Sequence, residues 1–127
     1  MRYTPEEKNR MDQLLEIFGE CIRSSKAFEI VYLEKVGFIY FSLAKDKPES
    51  FDWIDDYEDL CEILCSEIMH DVRDLKLAGC HSSYKSFPEE IEEARSRIIS
   101  YLDQIADDKD RAFCFNVMND FLDESAI

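Results

Sequence analysis

The chain has 127 residues and carries 15 Lys and Arg against 29 Asp and Glu, a net charge of −14. That balance excludes a phosphate-backbone binder and a basic membrane-surface helix, both of which need clustered cations. With 46% hydrophobic and 13% aromatic residues the chain is too apolar for a disordered acidic tail, and it holds no apolar run near the ~18 residues of a membrane span.

The length fits a single domain over residues 1–127. Gly and Pro number three each, which predicts much helix and few turns. The opening Met1-Arg2-Tyr3-Thr4-Pro5-Glu6-Glu7 has no apolar h-region, so a signal peptide is not expected. The five cysteines, Cys21, Cys61, Cys65, Cys80 and Cys114, are odd in number. Together these features predict reduced thiols in a cytoplasmic protein.

The first helix is predicted over residues 5–24. Thr4 is its N-cap, Pro5 takes the first helical position, and Glu7 completes a capping box. Met11, Leu14, Leu15, Phe18 and Ile22 share one face. Residues 28–33 and 38–43 are rich in β-branched and aromatic residues and predict a β-hairpin. Gly37 is placed to adopt positive φ in a G1 bulge, pairing Tyr32 with Tyr40 and Ile30 with Ser42. The face with Val31, Leu33, Ile39, Phe41 and Leu43 is assigned to the core. The face with Phe28, Ile30, Tyr32, Phe38 and Tyr40 is then left for partial cover by another surface. A two-stranded ribbon is marginal alone, so helices, a third strand or another chain must support it.

A second helix is predicted from a cap at Ser50 or Asp52 to about Leu77, with Gly79 as its stop. Ile54, Tyr57, Cys61, Leu64, Ile68, Val72 and Leu75 form its apolar stripe. A loop over 80–85 leads to a capping box at Ser86-Phe87-Pro88-Glu89. The third helix turns Ile91, Ala94, Ile98, Leu102 and Ile105 inward. The fourth starts from Asp107 or Asp108 and buries Cys114, Val117, Met118 and Phe121. The class is therefore α+β and helix-dominated: four helices with a β-hairpin inserted after the first, in the order α-β-β-α-α-α.

Chemical motifs are sparse. Cys61 and Cys65 lie four apart, but His70 falls on the opposite side of the same helix from Cys61, and the Cys-x2-Cys spacing of structural zinc is absent. Cys80 and His81 are neighbours in sequence, which is a poor arrangement for a nucleophile and its base. Gly19, Gly37 and Gly79 are too scattered for a phosphate loop. No catalytic residue, metal site or cofactor is expected. Asp55-Asp56-Tyr57-Glu58-Asp59 resembles the aspartate-rich motif of prenyl-diphosphate synthases over those five residues only. Glu89, Glu90, Glu92 and Glu93 offer two Glu-x-x-Glu pairs, similar to the carboxylates that small helical nucleotide pyrophosphohydrolases place around magnesium. That likeness defines the enzymatic alternative, a magnesium-dependent phosphohydrolase. Acidic residues in a first helical turn also simply complement the helix dipole.

Charge layout is the stronger signal. Residues 1–50 net −1 and residues 51–127 net −13, with no Lys or Arg between Lys47 and Arg73. On one predicted helix, Asp52, Asp55, Asp56, Asp59 and Glu62 form a stripe opposite the apolar face. Such carboxylates stand about 5–6 Å apart, comparable with successive phosphates along a strand. The reading is a small cytoplasmic regulator or inhibitor, not an enzyme. It docks a basic protein through this stripe, with Tyr32 and Tyr40 as further contacts. An immunity protein fits, as does a nucleic-acid mimic acting on a nucleic-acid-processing enzyme. Neither direct nucleic-acid binding nor membrane binding is expected. A homo-oligomeric structural protein, dimerising through the hairpin, is the other alternative.

Overall fold

The computed structural model describes residues 3–25, 28–42, 51–76 and 87–126. The elements are α1 (Pro5–Ile17), α2 (Gly19–Ser24), β1 (Phe28–Leu33), β2 (Gly37–Ser42), β3 (Phe51–Trp53), α3 (Tyr57–Lys76), α4 (Pro88–Leu102) and α5 (Asp108–Ser125). The protein is α+β and helix-dominated, with its sheet inserted after the N-terminal helices. It forms two compact units, Met1–Leu60 and Cys61–Ile127, with the boundary inside α3.

In the first unit, Thr4 caps α1 as expected, its hydroxyl accepting from Glu7 N–H at 3.1 Å. The Glu7 carboxylate reaches further along the chain and accepts from Tyr57 N–H at 3.4 Å. Met11, Leu14 and Phe18 are buried on the predicted face. The predicted single helix over 5–24 is instead two. Phe18 relaxes to φ −85°, ψ 8°, and α2 restarts at Gly19, a residue that tolerates such a break.

The sheet is antiparallel with order β1-β2-β3. Tyr32 pairs with Phe38 and Ile30 with Tyr40, two residues away from the predicted register. The tight connection explains the shift. Val36 N–H closes on Leu33 O at 3.0 Å, and Lys35 takes φ 68° before Gly37 at φ 140°. Gly37 adopts the predicted positive φ, but as the first residue of β2 paired with Leu33, so the three-residue turn is Glu34, Lys35 and Val36 and not the expected Lys35, Val36 and Gly37. A β-carbon at positive φ is strained. Lys35→Gly is therefore expected to stabilise the first unit by up to about 1 kcal/mol, and Gly37→Ala to destabilise it by at least about 1 kcal/mol. Urea unfolding of both variants checks the pair of signs.

A two-residue slip preserves which side chains share a face, yet the buried face is the opposite of the one assigned. Phe28 and Phe38 are each 2% exposed, whereas Leu33 on the supposed core face is 43% exposed. Phe41 is half-buried, and Ile39 is the well-buried member of its face. The aromatic face wins because Tyr3 and Tyr32 close over Phe38, with ring centroids 5.8 Å and 4.7 Å away. Leu43 lies outside the described residues.

The support that the ribbon needed is partly a third strand. Phe51 and Trp53 alternate about Asp52 and pair with Phe41 and Ile39. Residues 51–53 are thus strand, and the helix expected to start near Ser50 or Asp52 begins at Tyr57. Asp56 is the local cap: its side chain accepts from Asp59 N–H at 2.8 Å, while the Asp59 carboxylate accepts from Asp55 N–H at 3.0 Å.

Tyr3 ties this unit together. Its hydroxyl donates to Ile54 O and accepts from Phe38 N–H at 3.0 Å. Ile54 N–H donates directly to Phe38 O at 3.0 Å. The Phe38–Ile54 rung therefore has one direct hydrogen bond, and its return bond runs through the tyrosine hydroxyl.

The second unit is helical. From α3, Cys61, Leu64, Ile68 and Val72 are buried as predicted, together with Cys65 and Met69. The Leu75 side chain, Gly79, Cys80, His81 and Ser86 lie outside the described residues. The inward set of α4, namely Ile91, Ala94, Ile98 and Leu102, is buried as predicted, as is Ile105 beyond it. Asp107 caps α5, accepting from Asp110 N–H at 2.9 Å. Cys114, Val117 and Met118 are buried, while Leu122 takes the core position predicted for Phe121, which is half-buried.

Candidate functional site

The five carboxylates predicted as one helical stripe occupy four different backbone settings. Asp52 lies on β3 opposite Tyr40. Asp55 precedes the cap, Asp56 is the cap, and only Asp59 and Glu62 belong to α3. Asp52, Asp55, Asp56 and Glu62 are exposed, and Asp59 is half-buried by its capping role. The regular 5–6 Å helical spacing that likened them to phosphates does not apply to a strand, a turn and a helix start. What persists is a set of exposed carboxylates, Asp52, Asp55, Asp56 and Glu58, in a segment free of Lys and Arg.

Tyr32 and Tyr40, the two predicted aromatic contacts, are both half-buried. Tyr32 packs on Phe38 and carries Lys8 Nζ 4.4 Å from its ring centre. The Asp12 carboxylate, 2.7 Å from Lys8 Nζ, holds that ammonium above its ordinary pKa. Tyr40 stacks on Phe28 at 5.8 Å. The more open apolar surface is on the other side of the sheet, where Phe51 is 52% exposed beside half-buried Phe41, their rings 6.1 Å apart. Sequence reasoning missed Phe51 because it read residues 51–53 as a helix start. The signal was present as two aromatics alternating about one aspartate.

The glutamates of α4 separate by role. Glu90 is buried, and its Oε1 accepts from Phe87 N–H at 2.8 Å, so the cap-box partner is Glu90 and not Glu89. Glu89 and Glu92 are exposed, with Glu92 3.6 Å from Arg95. Among the described residues, no group of three or more His, Cys, Asp or Glu is arranged to hold a metal ion.

Cys61, Cys65 and Cys114 are fully buried, and Cys21 is half-buried. Cys61 Sγ donates to Cys114 O at 3.9 Å. The Cys114 contact pulls the Cys61 pKa down, but the Cys65 side chain, burial and the charge of Glu62 together hold it far above the ordinary thiol value. A protonated, buried thiol is a poor nucleophile. Native-state alkylation followed by mass spectrometry is expected to modify Cys21 well before Cys61, Cys65 or Cys114. Rapid labelling of Cys61 would contradict this packing.

Among the described residues, no helix is long and apolar enough to cross a membrane. Compared with protein-family models, curated proteins and solved structures, the chain shows no match.

Proposed function

We propose that this protein is a non-enzymatic cytoplasmic regulator, an inhibitor of the immunity type, that docks a basic protein partner through the carboxylates between Asp52 and Asp59. The observation that supports this reading is the exposure of Asp52, Asp55, Asp56 and Glu58 on a segment without a single cation. Like charges crowded at a surface oppose one another, and a plain solubility surface ordinarily mixes signs. A field of one sign accelerates encounter with an oppositely charged partner. Mimicry of a regular phosphate backbone has no comparable geometric support here, so the proposal rests on charge alone.

The test replaces Asp52, Asp55 and Asp56 together with Asn and leaves Asp59 in place. Asn remains a good N-cap at position 56, so stability is expected to change by less than about 1 kcal/mol. Wild type and variant are immobilised and exposed to native cell extract at low and high salt. A basic protein retained by wild type at low salt, and lost from the variant, is the expected result. Identical captured proteins on both would contradict the proposal.

A further inference from the structure

We propose that α1 is a clasp that fixes the connection bearing Asp55 and Asp56, with Glu7 as the positioning residue that sets how these two carboxylates are presented. The proposal rests on the basic-partner reading above and adds what orders that site.

The connection from β3 to α3 runs from Ile54 to Asp56 and is neither strand nor helix. Ile54 and Tyr57 at its ends are buried, whereas Asp55 and Asp56 between them are exposed. Adjacent like charges oppose one another, so the connection needs anchors at both ends to keep one conformation. The N-terminal segment supplies them. The Tyr3 hydroxyl, just ahead of α1, donates to Ile54 O. Glu7, in the first turn of α1, accepts from Tyr57 N–H at 3.4 Å. One turn further on, the Arg10 guanidinium lies over the Tyr57 ring, 4.2 Å from its centre. Glu7 and Arg10 are three apart on one helix and so reach the same neighbour.

The source of the acceptor at Tyr57 sets this contact apart. The N-terminal N–H groups of a helix lack partners within it and are ordinarily served by local side chains. At α3, Asp56 serves Asp59 N–H in that way, at 2.8 Å. Tyr57 N–H is served from 50 positions away. In the capping box expected from the sequence, the Glu7 carboxylate would turn back to Thr4 N–H, but it crosses to α3 instead. This brings one more negative charge to a helix start that already carries Glu58 and Asp59, where the helix dipole offsets part of the repulsion. The order of Asp55 and Asp56 thereby depends on α1. Carboxylates held in place before contact need no ordering when a cationic partner arrives. Glu7 therefore acts on the strength of the contact and not only on the field that steers encounter.

The test uses the full chain with Glu7→Gln and Glu7→Ala, which remove the same charge, while Gln alone keeps an acceptor oxygen for Tyr57 N–H. The probe is a lysine decapeptide. NMR follows exchange of the Tyr57 amide, and the shifts of the Asp55 and Asp56 amides during titration. Glu7→Ala is expected to speed Tyr57 exchange at least about tenfold over Glu7→Gln. It is also expected to bind the decapeptide at least about threefold more weakly than Glu7→Gln does. Unchanged amide shifts across β1 and β2 verify that both variants fold. Equal Tyr57 exchange in the two variants would overturn the clasp. Faster exchange in Glu7→Ala with equal binding would overturn the positioning role and leave Glu7 as a cap of α3 alone. Decapeptide binding that the Asp52→Asn, Asp55→Asn, Asp56→Asn variant matches at low salt would overturn the basic-partner reading itself. The exchange comparison needs no probe, so it tells that failure apart from failure of the clasp.

Discussion

Phe38→Ala is expected to destabilise the first unit by about 3–5 kcal/mol, the cost of removing a fully buried phenyl ring from a packed site. Phe38 is 2% exposed, and the rings of Tyr3 and Tyr32 pack on it. Truncation leaves a cavity that these two aromatics cannot readily close. Phe41→Ala is expected to cost less, about 1–2 kcal/mol, because its ring is only half-buried. Unfolding in urea, read from Trp53 in β3, reports on this unit directly. The ratio of the two losses fixes which face of the sheet is the core. Equal losses would mean that both faces are packed.

Tyr3→Phe is the second large effect, and it isolates hydrogen bonding from packing. The substitution keeps the ring over Phe38 and removes one oxygen. Without it, Phe38 N–H and Ile54 O lose the bridge that joins them. Each buried backbone group left unsatisfied costs about 1–3 kcal/mol, so a loss of about 2–6 kcal/mol is expected for the two. The urea m-value should be unchanged, since the surface exposed on unfolding is the same. A loss below about 0.5 kcal/mol would mean that the rung closes directly once the hydroxyl is gone.

These two effects also show where sequence patterning stops being informative. The helices of the second unit were legible because Ile91, Ala94, Ile98 and Leu102 repeat at the helical period and local caps mark their ends. The pairing of β1 with β2 was legible in existence, and so was the positive φ of Gly37. Its register was not, because the turn depended on Lys35 adopting a conformation that its residue type does not advertise. Which face is buried was also not legible. Both faces are apolar, and the choice was made by Tyr3, a residue 35 positions from Phe38. β3 was hidden by its brevity: Asp52 reads equally as a helix cap and as the polar member of an alternating strand. The acidic segment was visible as composition. Its spacing was not, since spacing depends on whether the backbone is strand, turn or helix.

The central claim is that carboxylates from Asp52 to Asp59 steer a basic partner. Its most direct test is the association rate of the captured basic protein with wild type and with the Asp52→Asn, Asp55→Asn, Asp56→Asn variant, measured by stopped flow across a range of salt. At low salt the wild type is expected to associate about tenfold faster, and the two rates should converge as salt screens the field. Equal rates at low salt, with equal salt dependence, would contradict the claim and leave these carboxylates as solvent-facing surface alone.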